Sequence, residues 1–91
     1  MSKPNILVVE DEELMRSILR KLLEDEGYQV LTADSAENAL EIFSTTDVEL
    51  TLTDIRMAGM DGLALLDQLK NVENEALVII MTAYSSVDSA I

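Results

Sequence analysis

Residues 5–33 read NILVVEDEELMRSILRKLLEDEGYQVLTA, and this stretch decides the architecture. Asn5–Val9 is a short apolar run with β-branched content, which reads as a strand. It ends in three acids, Glu10, Asp11 and Glu12. Residues 12–26 then carry Leu14, Met15, Ile18, Leu19, Leu22 and Leu23, whose spacing draws one apolar stripe at helical period. Gly27 fits a helix C-terminal stop, and Gln29–Ala33 reads as a second strand. A strand, a helix and a strand joined in this way predict a parallel pair with a helical crossover.

The same alternation continues outward. Ser35 suits the cap of a second helix, in which Ala36, Ala39, Leu40 and Phe43 follow the i, i+3, i+4, i+7 pattern. Residues 48–53 read as a third strand, with Val48, Leu50 and Leu52 alternating. Residues 54–61 read as a loop, and Asp61 is a plausible N-cap for a third helix over 62–71 marked by Leu63, Leu66 and Leu69. Residues 77–81 are wholly apolar, which suits a buried parallel strand. Ser85 or Ser86 suits the cap of a fourth helix that the sequence hardly begins. Four such alternations predict an α/β fold: a doubly wound parallel sheet with helices on both faces.

Composition narrows what this fold can do. The chain has 91 residues, one small domain or part of one, since domains typically run to ~100–150 residues. It carries 18 Asp and Glu against 6 Lys and Arg, a net charge of −12. That surplus argues against binding nucleic acid through this segment, where clustered Lys and Arg are needed, and it repels anionic membranes. The absence of Cys excludes a disulfide scaffold and thiolate metal sites, and the absence of His removes the usual zinc ligand. A hydrophobic content of 48% is too high for a disordered acidic tail. No signal peptide is visible and no apolar run approaches the ~20 residues that span a bilayer, so a soluble, cytoplasmic protein is expected.

Ligand sites in open parallel sheets lie beyond the carboxyl ends of the strands, at a topological switch point. The residues there are Glu10, Asp11 and Glu12 after the first strand, Asp54 after the third, and Thr82, followed by small Ala83, after the fourth. Two carboxylates ~5 Å apart repel by roughly 3 kcal/mol at an effective dielectric near 20. A divalent cation offsets this simply, and an all-oxygen donor set suits Mg²⁺ or Mn²⁺. Any one of these acids is equally well read as a solvated turn former or helix cap. The joint arrangement, with a hydroxyl on the same rim, is a site able to hold a metal and a phosphoryl group.

The segments ILVVEDEELMR, LTLTDIRMAGMDGLALL and VIIMTAYSSVDSAI resemble the receiver domain of two-component response regulators. The middle segment is the most diagnostic, through its Asp-x-x-Met-x-Gly-Met-Asp-Gly spacing. The detail is most similar to the class of enhancer-binding transcription activators that regulate nitrogen metabolism. The resemblance implies a flavodoxin-like sheet of order 2-1-3-4. It implies that Asp54 accepts a phosphoryl group from a phosphohistidine on a sensor histidine kinase, so that no His is needed in this chain. It further implies that Asp11 binds Mg²⁺ directly and Glu10 through water. Asp54 and the backbone carbonyl of Arg56 complete the protein ligands, and Thr82 is the switch hydroxyl. The implied output is a change of surface that controls a transcriptional output domain or a receiver homodimer, rather than turnover of a substrate.

The sequence departs from the family pattern in two places. Ala58 stands where Pro is usual, which loosens the loop without removing a ligand. The fifth strand, with its Lys and its aromatic switch residue, and the helix after it are missing, and Lys3 and Lys70 are not placed to substitute. The chain is therefore expected to be an incomplete receiver that self-associates through an exposed edge at residues 77–81. On the first helix Arg16, Arg20 and Lys21 suit either a kinase-recognition surface or i,i+4 pairing with Glu12, Glu24 and Asp25. Met57, Met60 and Tyr84 suit contact roles or simple packing. The alternative reading is a small Mg²⁺-dependent phosphatase or phosphotransfer enzyme. Such enzymes usually place an Asp two residues after the nucleophile, where this sequence has Arg56. A flavodoxin-like cofactor binder would need a phosphate-cradling loop after the first strand, where three acids stand instead.

Overall fold

A computed structural model describes residues 4–55, 61–73 and 76–81. The elements run β1 (Asn5–Val9), α1 (Glu13–Asp25), β2 (Gln29–Ala33), α2 (Ala36–Thr45), β3 (Leu50–Asp54), α3 (Gly62–Val72) and β4 (Val78–Met81). All strand pairs are parallel, in the order β2-β1-β3-β4. Register aligns Val9 with Ala33 on one side and with Thr53 on the other, and Asp54 with Met81. The carboxyl ends of β1 and β3 therefore lie side by side, with β2 and β4 flanking them.

The central strand β1 is apolar throughout because both of its faces are covered. Ile6 and Val8 join Val30 beneath Leu19 and Leu23 of α1. Leu7 and Val9 join Ala33 on the opposite face, packed against Ala36 and Ala39 of α2 and Leu65 and Leu69 of α3. The apolar stripe of α1 is wider than the sheet requires. Leu19 and Leu23 turn inward, while Leu14, Ile18 and Leu22, one residue earlier at the same spacing, remain exposed.

Helix ends follow local chemistry. The Ser35 hydroxyl accepts from the Asn38 N–H at 3.1 Å, and the Asp61 carboxylate accepts from the Ala64 N–H at 2.9 Å. Helix α1 stops at Gly27, whose φ of +98° is the left-handed region. Its N–H donates to the Glu24 carbonyl and that of Tyr28 to the Leu23 carbonyl, the paired bonds of a Schellman motif.

Three sequence expectations shift. Strand β3 starts at Leu50 rather than Val48 and includes Asp54, because ladder pairing with β4 continues to Met81. The buried face of α3 is carried by Leu65 and Leu69, with Leu63 exposed, because the i,i+4 pair follows the helix better than a three-residue step. Strand β4 is only half covered: Ile79 is 52% exposed, so its apolar run reflects more than burial on both faces. Among the described residues no helix is long and apolar enough to cross a membrane.

Candidate metal centre

Glu10 is the first residue after β1, at the switch point between β1 and β3. Its N–H donates to the Ala33 carbonyl at 3.0 Å, which ties the loop to the end of β2. Its side chain turns inward and is 3% exposed. The Glu10 carboxylate accepts the Glu12 N–H at 3.0 Å, at the start of α1, where helix N–H groups point toward an anion. Arg16, one turn into α1, donates from Nη1 to the Glu10 carbonyl at 2.9 Å. Glu10 is thus held at both its backbone groups and at its carboxylate.

Asp11 follows on the solvent side and is exposed, and Asp54, half-buried, closes β3. One carboxylate oxygen from each of Glu10, Asp11 and Asp54 lies within 4.8 Å of the other two. The grouping is asymmetric, with a buried floor at Glu10 and an open wall at Asp11.

Burial pushes the Glu10 carboxyl up to about 7 from its ordinary 4.5. The Glu12 N–H pulls against that rise, while a hydrogen bond with the Asp11 side chain and the charges of Asp54 and Asp11 add to it. A buried carboxyl that resists ionising beside two others is a site short of positive charge. Three carboxylates with no nitrogen or sulfur donor fit a hard, partly hydrated divalent cation.

The structure therefore brings together Glu10, Asp11 and Asp54, three of the residues singled out in the sequence. The Arg56 carbonyl, Thr82, Ala58, Met57, Met60, Ala83, Tyr84 and the Ser85 or Ser86 cap lie outside the described residues. Lys70 sits at the other end of the sheet, donating to the Ala76 carbonyl ahead of β4. Of the three ion pairs considered on α1, Arg20–Glu24 and Lys21–Asp25 form at 3.3 and 3.9 Å, whereas Arg16 is taken up by the Glu10 carbonyl. That contact escapes a sequence reading because it depends on the chain folding back from β1 into α1.

Residues 6–91 match the response regulator receiver domain family. The transcriptional regulatory protein ZraR of Escherichia coli K12 is 45% identical over 87 residues, which are 96% of this chain and 20% of that protein. The DNA-binding transcriptional regulator NtrC of the same strain is 38% identical over 91 residues, 100% of this chain and 19% of that protein. The chain thus spans about a fifth of the length of these two relatives. Among solved structures, the response regulator TrrA of Thermotoga maritima in complex with Mg²⁺–BeF superposes with a TM-score of 0.86 at 36% identity, over 97% of this chain and 76% of that one. TrrA in complex with the histidine kinase ThkA matches with a TM-score of 0.84 at 37% identity, over 89% of this chain and 70% of that one. The protein belongs to the response regulator receiver domain family.

Proposed function

We propose that this chain is a phosphorylation-dependent signalling switch in which Asp54 is the acceptor and a sensor histidine kinase is the donor. One observation carries the reading: Asp54, at the end of β3, shares a 4.8 Å cluster with Glu10 and Asp11. In the transfer, an Asp54 oxygen attacks phosphorus, the P–N bond to the donor imidazole breaks, its electron pair returns to that ring, and a mixed anhydride forms. Mg²⁺, or Mn²⁺ in its place, supplies charge neutralisation for the crowded carboxylates and the incoming phosphoryl oxygens. Asp11 and Asp54 would hold it directly together with the Arg56 carbonyl, and Glu10 would hold it through water. The TrrA complex with Mg²⁺–BeF supports this choice of ion. Thr82 supplies the hydroxyl that meets the phosphoryl group and moves the loop after β4.

The kinase docks on α1, beside the acceptor. The exposed stripe of Leu14, Ile18 and Leu22 begins immediately after the acidic loop, and the TrrA–ThkA complex supports a kinase as the partner class. The output is regulatory. ZraR and NtrC support a transcriptional output domain, and the absence of a long apolar helix among the described residues agrees with a cytoplasmic location. The chain catalyses its own phosphorylation and dephosphorylation and turns over no other substrate.

The test is incubation with acetyl phosphate or phosphoramidate and Mg²⁺, followed by intact mass. One phosphate is expected on a receiver that includes the fifth-strand Lys, little or none on the 91-residue chain, and none in Asp54→Asn or after chelation of the metal. Labelling that persists in Asp54→Asn removes Asp54 from the role.

A further inference from the structure

We propose that Gly62, together with the Thr53 hydroxyl, is a positioning residue for Asp54: its bare Cα lets the first turn of α3 close on the Asp54–Ile55 peptide, a contact no side chain at 62 permits. The inference rests on the reading of Asp54 as the acceptor and metal ligand.

Gly62 opens α3 and is buried. Its N–H donates to the Ile55 carbonyl at 3.0 Å, which ties the start of the helix to the end of β3. A Cβ on Gly62 would stand 2.9 Å from the Ile55 Cα and 3.1 Å from the Asp54 carbonyl carbon, with the Asp54 carbonyl oxygen nearer still. All three are backbone atoms, so no rotamer change relieves the clash.

Neither partner in this contact is able to retreat. Helix α3 is pinned by Leu65 and Leu69, both fully buried against Leu7 and Val9. The Asp54 carbonyl accepts the Thr53 hydroxyl at 3.0 Å, Thr53 itself is fully buried, and the Ile55 N–H donates to the Met81 carbonyl at 3.3 Å. The peptide that carries Asp54 is therefore clamped by α3, by its own strand and by β4. A side chain at 62 shifts this peptide and with it the Asp54 carboxylate in the cluster with Glu10 and Asp11. Magnesium accepts little such displacement, because it demands near-ideal octahedral geometry.

Gly27 supplies the matched control. Its φ of +98° strains any other residue, yet nothing lies within 4 Å of a Cβ placed there, and it sits at the far end of α1. In the 91-residue chain, Gly62→Ala is expected to move the Asp54 and Ile55 amide resonances of the metal-free protein. It is also expected to weaken Mg²⁺ binding, read by titration calorimetry, about tenfold or more. Gly27→Ala lowers the melting temperature and leaves both readouts where they are. A folded Gly62→Ala with unmoved Ile55 resonance and wild-type Mg²⁺ affinity overturns the proposal. Where Gly62→Ala does not fold, Thr53→Val carries the test, since it fills similar volume and removes only the hydroxyl. It is expected to weaken Mg²⁺ binding several-fold, and wild-type affinity in that variant overturns the clamp. Failure of the wild-type chain to bind Mg²⁺ instead overturns the reading of the site, while the metal-free Ile55 resonance still reports on Gly62.

Discussion

Glu10 shows how one buried residue links stability to ion binding. Its carboxyl titrates near 7 in the folded chain against an ordinary 4.5, with burial as the main cause. Between those values the folded state binds the extra proton, so the stability that Glu10 contributes is fullest below about pH 4.5 and is lost as pH rises through 7. Without divalent ions, the unfolding free energy from urea titrations is expected to fall across that window, by about 3 kcal/mol at most. Added Mg²⁺ reverses the trend, because a cation beside the cluster favours the ionised form and its binding releases the proton. A wild-type stability that rises from pH 5 to 7.5 in chelator, or a Glu10→Gln variant that keeps the wild-type slope, contradicts this assignment. The three acids were legible in the sequence because each stands at the end of a strand, where an open parallel sheet gathers its ligands. Their unequal burial was not legible. Nothing in the run Glu10-Asp11-Glu12 says which acid turns inward, and only the bonds from Glu12 and to Ala33 decide it.

At the scale of elements, the sequence pattern predicted every described strand and helix, because each carries its own punctuation. Ser35 and Asp61 cap, Gly27 stops, and the apolar period changes between strand and helix. What it missed lies where one element meets another. The six apolar positions of α1 form one stripe in the sequence, but the sheet takes only its Leu19 and Leu23 edge and leaves Leu14, Met15, Ile18 and Leu22 exposed. The clash that forbids a side chain at 62 joins β3 to α3 and has no trace in local periodicity. A third case is Thr51, fully buried in β3, whose hydroxyl meets no hydrogen-bond partner among the described residues. Replacing it with the isosteric Val removes that hydroxyl and keeps the shape. Thr51→Val is expected to stabilise the chain by about 1 kcal/mol, read as a higher urea midpoint at unchanged slope. A lower midpoint shows that the hydroxyl is bonded in solution.

The whole molecule combines strong negative charge with an apolar edge. A net charge of −12 on 91 residues opposes compaction, and the acids grouped at the carboxyl ends of β1 and β3 are a place where a bound cation relieves part of that repulsion. Binding of Mg²⁺ at ten times its dissociation constant is expected to add about 1.4 kcal/mol to stability. On the other side of the sheet, β4 pairs only with β3 among the described residues, and Leu77 and Ile79 are 64% and 52% exposed. An apolar strand edge of this kind offers a template for pairing with another chain. The 91-residue chain is therefore expected to show a concentration-dependent mass by size exclusion with light scattering, reduced by Ile79→Lys. A concentration-independent monomer contradicts that expectation.

Whether the ends of β1 and β3 make one divalent-cation pocket around Asp54 is read by titrating paramagnetic Mn²⁺ into the isotopically labelled chain and following amide line broadening. Glu10, Asp11, Glu12, Asp54 and Ile55 are expected to broaden together at low Mn²⁺, Lys70 to stay sharp, and Asp54→Asn to weaken the effect at both strand ends. Broadening confined to one strand end, or spread evenly over the acidic surface of α1 and α2, contradicts a single pocket.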